Sequence, residues 1–160
     1  MKIFFDTEFL EDGRTIELIS IGLVREDGRT WYAETPNAAA LADSDPWLRQ
    51  NVLPHLKGGS AIAARKTIAR DILSFSGVLD NDKPEFWAYY ADYDWVALCQ
   101  LYGRMIDLPK GFPMFCRDIK QRAVDLGNPT LPKQAGNEHN ALADALWNKQ
   151  AFEFLQTIKI

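Results

Sequence analysis

Four carboxylates and one histidine carry the chemistry available to this sequence. Asp6 and Glu8 close the apolar run Lys2-Ile3-Phe4-Phe5-Asp6-Thr7-Glu8-Phe9 near the N-terminus. Such a run reads as a short buried strand, in which residues two apart project to the same side. Asp6 and Glu8 therefore point together. Like charges held side by side repel unless a proton or a cation lies between them, which makes the pair a candidate divalent-metal site. Taken alone, the tripeptide would also fit a strand ending in a solvated turn.

Asp94 lies in Ala91-Asp92-Tyr93-Asp94-Trp95, a stretch predicted to open a helix running to about Met105. On that helix Asp94 shares a face with Ala97, Leu98 and Leu101, whereas Asp92 lies on the far side, placed to cap the helix start. A carboxylate on a packing face is costly unless a positive group or a backbone donor meets it. Asp144 is a third misplaced acid, set among Ala141, Leu142, Ala143, Leu146, Trp147, Ala151, Phe152, Phe154 and Leu155 of a final helix that begins near His139. His139 and Asp144 are separated by about 140° on a regular helix. They converge only if His139 sits at the helix start, as the polar approach Gly136-Asn137-Glu138 allows.

The elements that position these groups follow from pattern. After the first strand, Thr15 to Val24 and Arg29 to Thr35 read as two further strands joined by an Asp27-Gly28 hairpin, so the chain opens with three strands, expected to be antiparallel. Glu17 at the start of the second is expected to face water. Pro36 to Gly59 reads as surface structure with one short helix at Pro46 to Leu53, capped by Asp45. A helix capped by Ser60 is predicted through Phe75, with Ile62, Ile68, Ile72 and Phe75 as its stripe and Gly77 as its stop. Glu85 to Tyr90 reads as an aromatic strand and Met114 to Cys116 as a short one. Arg117 to Leu126 reads as a helix stopped by Gly127, and Asn128 to Asn137 as a loop.

The 160 residues fit one domain, 1–160, and a hydrophobic share of 47% is enough for a core. The sequence shows no membrane-spanning run and no signal-peptide pattern, which points to the cytoplasm. Cys99 and Cys116 read as reduced buried thiols, and His55, alone in an irregular region, as structural. A net charge of −4 argues against broad binding to nucleic acid duplexes, but not against an enzyme whose carboxylates recruit metal where phosphate must sit. The basic groups Arg65, Lys66 and Arg70, and Arg104, Lys110, Arg117, Lys120 and Arg122, read as solvated helix faces.

In order and spacing, Asp-x-Glu on the first strand, Tyr93-Asp94 after a middle strand and His-x-x-x-x-Asp on the last helix resemble the three motifs of the DEDDh 3'-5' exonucleases of the ribonuclease H-like superfamily. FFDTEF, IELISIG, YDWVALCQLYG and HNALADA extend the similarity over most of the chain, toward the small polyadenylate-specific exoribonucleases of mycobacterial type. One departure stands out: the His-Asn common before the middle motif reads Tyr89-Tyr90 here, which keeps Asp92 as an alternative to Asp94. The resemblance implies an α/β fold with a mixed five-stranded sheet in 3-2-1-4-5 order flanked by helices. It implies two Mg²⁺ or Mn²⁺ ions, with Asp6 bridging them, Glu8 and Asp144 completing the nucleophile-side ion, and Asp94 holding the second. His139 would be the general base. Phe9 would contact the terminal base or ribose, Leu10 would wedge beside it, and backbone near Thr7 would meet the terminal 3'-hydroxyl. The expected reaction is release of nucleoside 5'-monophosphates from single-stranded RNA 3' ends, with adenylate preferred, by a homodimer. The competing expectations are a non-catalytic single-stranded nucleic-acid-binding module on the same fold and a DNA-directed 3'-5' exonuclease.

Overall fold

The structure is a computed structural model that describes residues 1–158; the last two residues of the expected 1–160 domain lie outside the described residues. Strands β1 (Lys2–Glu11), β2 (Ile16–Arg25) and β3 (Thr30–Glu34) form an antiparallel meander. Helices α1 (Ala38–Ser44), α2 (Pro46–Asn51) and α3 (Arg65–Phe75) follow, then β4 (Glu85–Ala88), α4 (Asp92–Gln100), β5 (Arg117–Asp118), α5 (Ile119–Asp125) and α6 (Ala141–Gln156). β4 and β5 join in parallel, giving one sheet ordered β3-β2-β1-β4-β5 among the described residues.

Strand alternation sorts β1 between two cores. Ile3 and Phe5 pack with Ile68 and Ile72 of α3 and Leu98 of α4, whereas Phe4 packs with Ile119 of α5 and Phe152 and Leu155 of α6. The sheet is thus covered on both faces, and the alternation continues into the acidic stretch. Asp6 and Glu8 inherit the α6 side, and Thr7 inherits the α4 side.

The departures from expectation have physical causes. Residues 59–61 form only a 3-10 turn, and Ile62 pairs in parallel with Glu34 while the Ala63 amide donates to the Glu34 carbonyl (2.9 Å). That capture along β3 delays the predicted Ser60-capped helix to Arg65. Asp92 does not cap α4. The chain is already helical at Ala91, whose amide is taken by the Asp118 carboxylate at 3.1 Å. α4 stops at Gln100 rather than Met105. The fifth strand forms at Arg117–Asp118 instead of 114–116, where Met114 and Phe115 stay exposed. α1 was not foreseen, and α6 starts at Ala141 because Asn140 caps it, its side chain accepting from the Ala143 amide at 3.0 Å. Glu17 is exposed, as expected, beside Arg65 at 3.7 Å. No helix among the described residues is long and apolar enough to cross a membrane.

One contact sets the distance between α6 and the sheet. A Cβ on Gly22 would lie 2.4 Å from the backbone N and Cα of Leu142 in α6. Gly22 pairs with Asp6 across β1 and β2, so the close approach occurs beside the acidic strand. Gly22→Ala is expected to push α6 outward. We expect a loss of about 1–3 kcal/mol in thermal or urea unfolding, together with weakened divalent-metal binding in calorimetry.

Candidate active site

The parallel pairing of β1 with β4 ends at Phe4 and Trp87, while β1 runs on. The space beyond the end of β4 is an open cleft of about 510 Å³, lined by Asp6, Thr7, Glu8, Phe9, Tyr89, Tyr90, Asp92, Tyr93, Asp94, His139 and Asp144. Crevices at the carboxyl ends of strands are the usual ligand sites of open α/β sheets. A second hollow continues past Gln134, Glu138, Trp147 and Asn148.

Asp6, Glu8 and Asp144 bring carboxylate oxygens within 4.8 Å of one another. The two on β1 share a face because they are two residues apart, and α6 lays Asp144 against that face. Asp144 is oriented from both sides: Gln134 Nε2 donates to Oδ1 at 2.5 Å and the His139 amide donates to Oδ2 at 3.0 Å. His139 lies just ahead of α6 in a left-handed backbone conformation (φ 65°). The five-residue spacing therefore converges through the backbone amide at the helix start. The imidazole lines the cleft and meets the Trp47 ring edge to face, with centroids 4.7 Å apart.

Asp94 arrives from the other face of β1. Its Oδ1 accepts from the Thr7 amide at 2.8 Å and from the Thr7 hydroxyl at 2.6 Å. A backbone donor therefore meets this buried acid, which also lines the cleft. With the Thr7 amide and hydroxyl proton committed to Asp94, the hydroxyl can meet a substrate only as an acceptor. Phe9 lines the cleft and stands edge to face with Tyr93 at 5.8 Å. A register shift between Glu8 and Phe9 marks a bulge here, which re-aims the chain next to the acids. Leu10 is not among the residues lining the cleft. It packs on Ile19, Ala38, Ala42, Leu48 and Val52, beneath α1 and α2. Asp92 is exposed at the cleft rim.

The electrostatics are those of acids lacking a counter-charge. Burial, then Asp94, Glu8 and Asp144, raise the Asp6 pKa well above the carboxylate range. Burial, then Asp144 and Asp94, push Glu8 up to about 8. Asp94 rises to about 6 through burial, and the Thr7 hydrogen bonds hold it back from rising further. Burial also raises Asp144, opposed by Gln134 and the His139 amide. These hard-oxygen donors, converging without a basic side chain among them, fit a divalent cation of the Mg²⁺ or Mn²⁺ kind better than zinc. Gln134 and Trp47 carried no motif signal, and Tyr89 and Tyr90 stood out only as a departure from the middle motif of the resemblance. Closeness to the acids, which is a tertiary property, is what brings all four to the site.

The raised acids make stability depend on pH and metal. A carboxyl whose folded pKa exceeds its unfolded value contributes stability in its neutral form, and that stability is lost as pH rises through the folded pKa. For Glu8 the window runs from about 4.5 to about 8. The metal-free protein should lose melting temperature across this interval. Mg²⁺ or Mn²⁺ should restore more of it near the top of the window than near the bottom. Glu8→Gln should melt above the unsubstituted metal-free protein at the upper end, and lose the metal effect. Thermal scans at several pH values, with and without metal, check all three.

The family model described as the 3'-5' exoribonuclease Rv2179c-like domain matches residues 1–156. The 3'-5' exoribonuclease Rv2179c of Mycobacterium tuberculosis is 43% identical over 152 residues, which cover 91% of this chain and 87% of that relative. Among solved structures, exonuclease I matches with a TM-score of 0.63 at 14% identity, covering 99% of this chain and 41% of its own. E. coli exonuclease I in complex with a dT13 oligonucleotide gives 0.62 at 12% identity, covering 98% of this chain and 41% of its own. This chain thus spans about two-fifths of exonuclease I, and the likeness shows the fold, a ribonuclease H-like α/β sheet in the order expected. With the family model running from Met1, just ahead of β1, to the last residue of α6, the chain belongs to the Rv2179c-like 3'-5' exoribonucleases.

Proposed function

We propose that this protein removes nucleoside 5'-monophosphates one at a time from the 3' end of single-stranded RNA, using divalent metal held by Asp6, Glu8, Asp94 and Asp144. The observation that carries the proposal is the meeting of Asp6, Glu8 and Asp144 within 4.8 Å, in one cleft with Asp94 and His139. Repelling acids are maintained where a cation compensates them. Divalent cations held by these residues would supply charge compensation for the phosphate and lower the pKa of the attacking water. Glu8 and Asp144 would hold metal for the attacking water, Asp6 would serve as their shared ligand, and Asp94, steadied by Thr7, would hold metal for the leaving group.

The remaining steps belong to the chain's own groups. His139 accepts the proton of the attacking water at its imidazole, and the Asp144 carboxylate holds its amide in place. The water oxygen bonds to the terminal phosphorus as the bond to the preceding 3'-oxygen breaks, and that oxygen regains a proton. Phe9 and Tyr93 offer a ring surface to the terminal nucleotide. An adenylate preference rests on family likeness alone.

The test uses 3'-labelled and 5'-labelled oligoribonucleotides, and their DNA counterparts, with Mg²⁺ or with chelator. The expected outcome is metal-dependent release of the 3' label as mononucleotide and a descending ladder from the 5' label, faster on RNA. Internal cuts, or no shortening, would sink the proposal. His139→Ala should lower kcat by about 10²–10⁴-fold while Mn²⁺ binding by calorimetry stays close to that of the unsubstituted protein.

A further inference from the structure

Tyr90 ends the β4 side of the cleft in a conformation that its residue type disfavours. Its φ is 56°, in the left-handed region, where an asparagine sits readily and a bulky aromatic does not. It also stands where the exonuclease middle motif commonly has asparagine. Burial does not explain the tyrosine: 63% of the residue is exposed, and its ring meets Tyr89 edge to face at 4.7 Å. Tyr89 in turn rests on Trp147 at 5.0 Å, and the Trp147 indole N–H donates to the Pro132 carbonyl at 2.9 Å, so the ring beneath Tyr90 is fixed. Backbone strain is thus coupled to a solvent-facing aromatic on a rigid support, in the same cleft as the acids.

We propose that Tyr90 is a nucleobase-stacking residue for the single-stranded substrate, and that the strained backbone is retained to present its ring. The inference rests on the exoribonuclease function above and adds to it the residue that holds a base near the scissile end. Phe9 and Tyr93 form one ring surface of the cleft, and Tyr90 on Tyr89 forms another. Stacking accepts any base, so the site recognises a flexible strand without reading its sequence.

Tyr90→Asn separates stacking from structure, because it removes the ring and suits the backbone. The probe is a 5'-labelled oligoadenylate with Mg²⁺, with steady-state KM and kcat as one readout and the melting temperature of the metal-free protein as the other. The variant should melt at or above the temperature of the unsubstituted protein, while KM rises roughly tenfold or more and kcat changes far less. Tyr90→Phe should keep the original KM. A Tyr90→Asn protein with KM within twofold of the original overturns the proposal. So does one that loses stability and affinity together, since that would assign Tyr90 to the scaffold. Failure of the unsubstituted protein to shorten the RNA would instead overturn the enzymatic function, and the nucleobase partner with it.

Discussion

The site depends on how closely a helix backbone can approach a strand. α6 carries Asp144, β1 carries Asp6 and Glu8, and the three carboxylates meet only because Gly22 presents no side chain beneath Leu142. Any Cβ there would sit well inside contact distance of main-chain atoms that cannot rotate away. Asn148 reinforces the same junction, its Nδ2 donating to the Phe5 carbonyl at 2.9 Å, one residue before Asp6. Both partners are buried, so the bond is shielded from competing water. Helix and strand are thus joined sterically at Gly22 and by hydrogen bonding at Asn148, on either side of the acids.

What this junction holds together would otherwise separate. Burial and crowding push Glu8 up to about 8, and Asp6 is pushed in the same direction. The fold bears this cost with two cores, one on each face of the sheet, that fix β1 regardless of the charges at its end. The acids differ in how they are held. Asp94 and Asp144 receive hydrogen bonds from protein donors, whereas Asp6 and Glu8 have none among the described residues. The ends of the cluster are oriented by the protein, and its centre is left for a cation. This is the stability–function exchange common at active sites.

The primary structure revealed what depends on period and on residue type. Alternation along Lys2 to Phe9 paired Asp6 with Glu8, the helical face of Ala97 and Leu98 buried Asp94, and the sheet order followed from the family likeness. Local propensity misled wherever a distant strand or side chain intervened. Residues 59–63 carry a helix-start pattern but are held by the edge of β3, and Asp92 has the right chemistry for a cap that Asp118 makes unnecessary. Thr7 was visible as a neighbour of the acids, but its bonds to Asp94 link residues 87 positions apart, which no local pattern encodes. Leu10, next in sequence to Phe9, lies after the bulge that follows Glu8 and packs beneath α1 and α2, which nearness in sequence to the acids does not reveal.

The start of α6 explains why His139 differs from the acids in how it is held. Its amide is fixed to Asp144 and its backbone is left-handed, so the main chain is closely defined. Its imidazole makes no hydrogen bond among the described residues, and its ring contact is the face-to-edge meeting with Trp47, itself half exposed on α2. α2 is placed by the Asp45 cap, whose carboxylate accepts from the Trp47 and Leu48 amides at 2.9 Å, and the Asn140 side chain reaches the His55 carbonyl from the other side at 3.4 Å. An apolar edge contact constrains direction weakly compared with a hydrogen bond, and it leaves both ring nitrogens free. A group proposed to accept a proton from water and then release it would need that freedom.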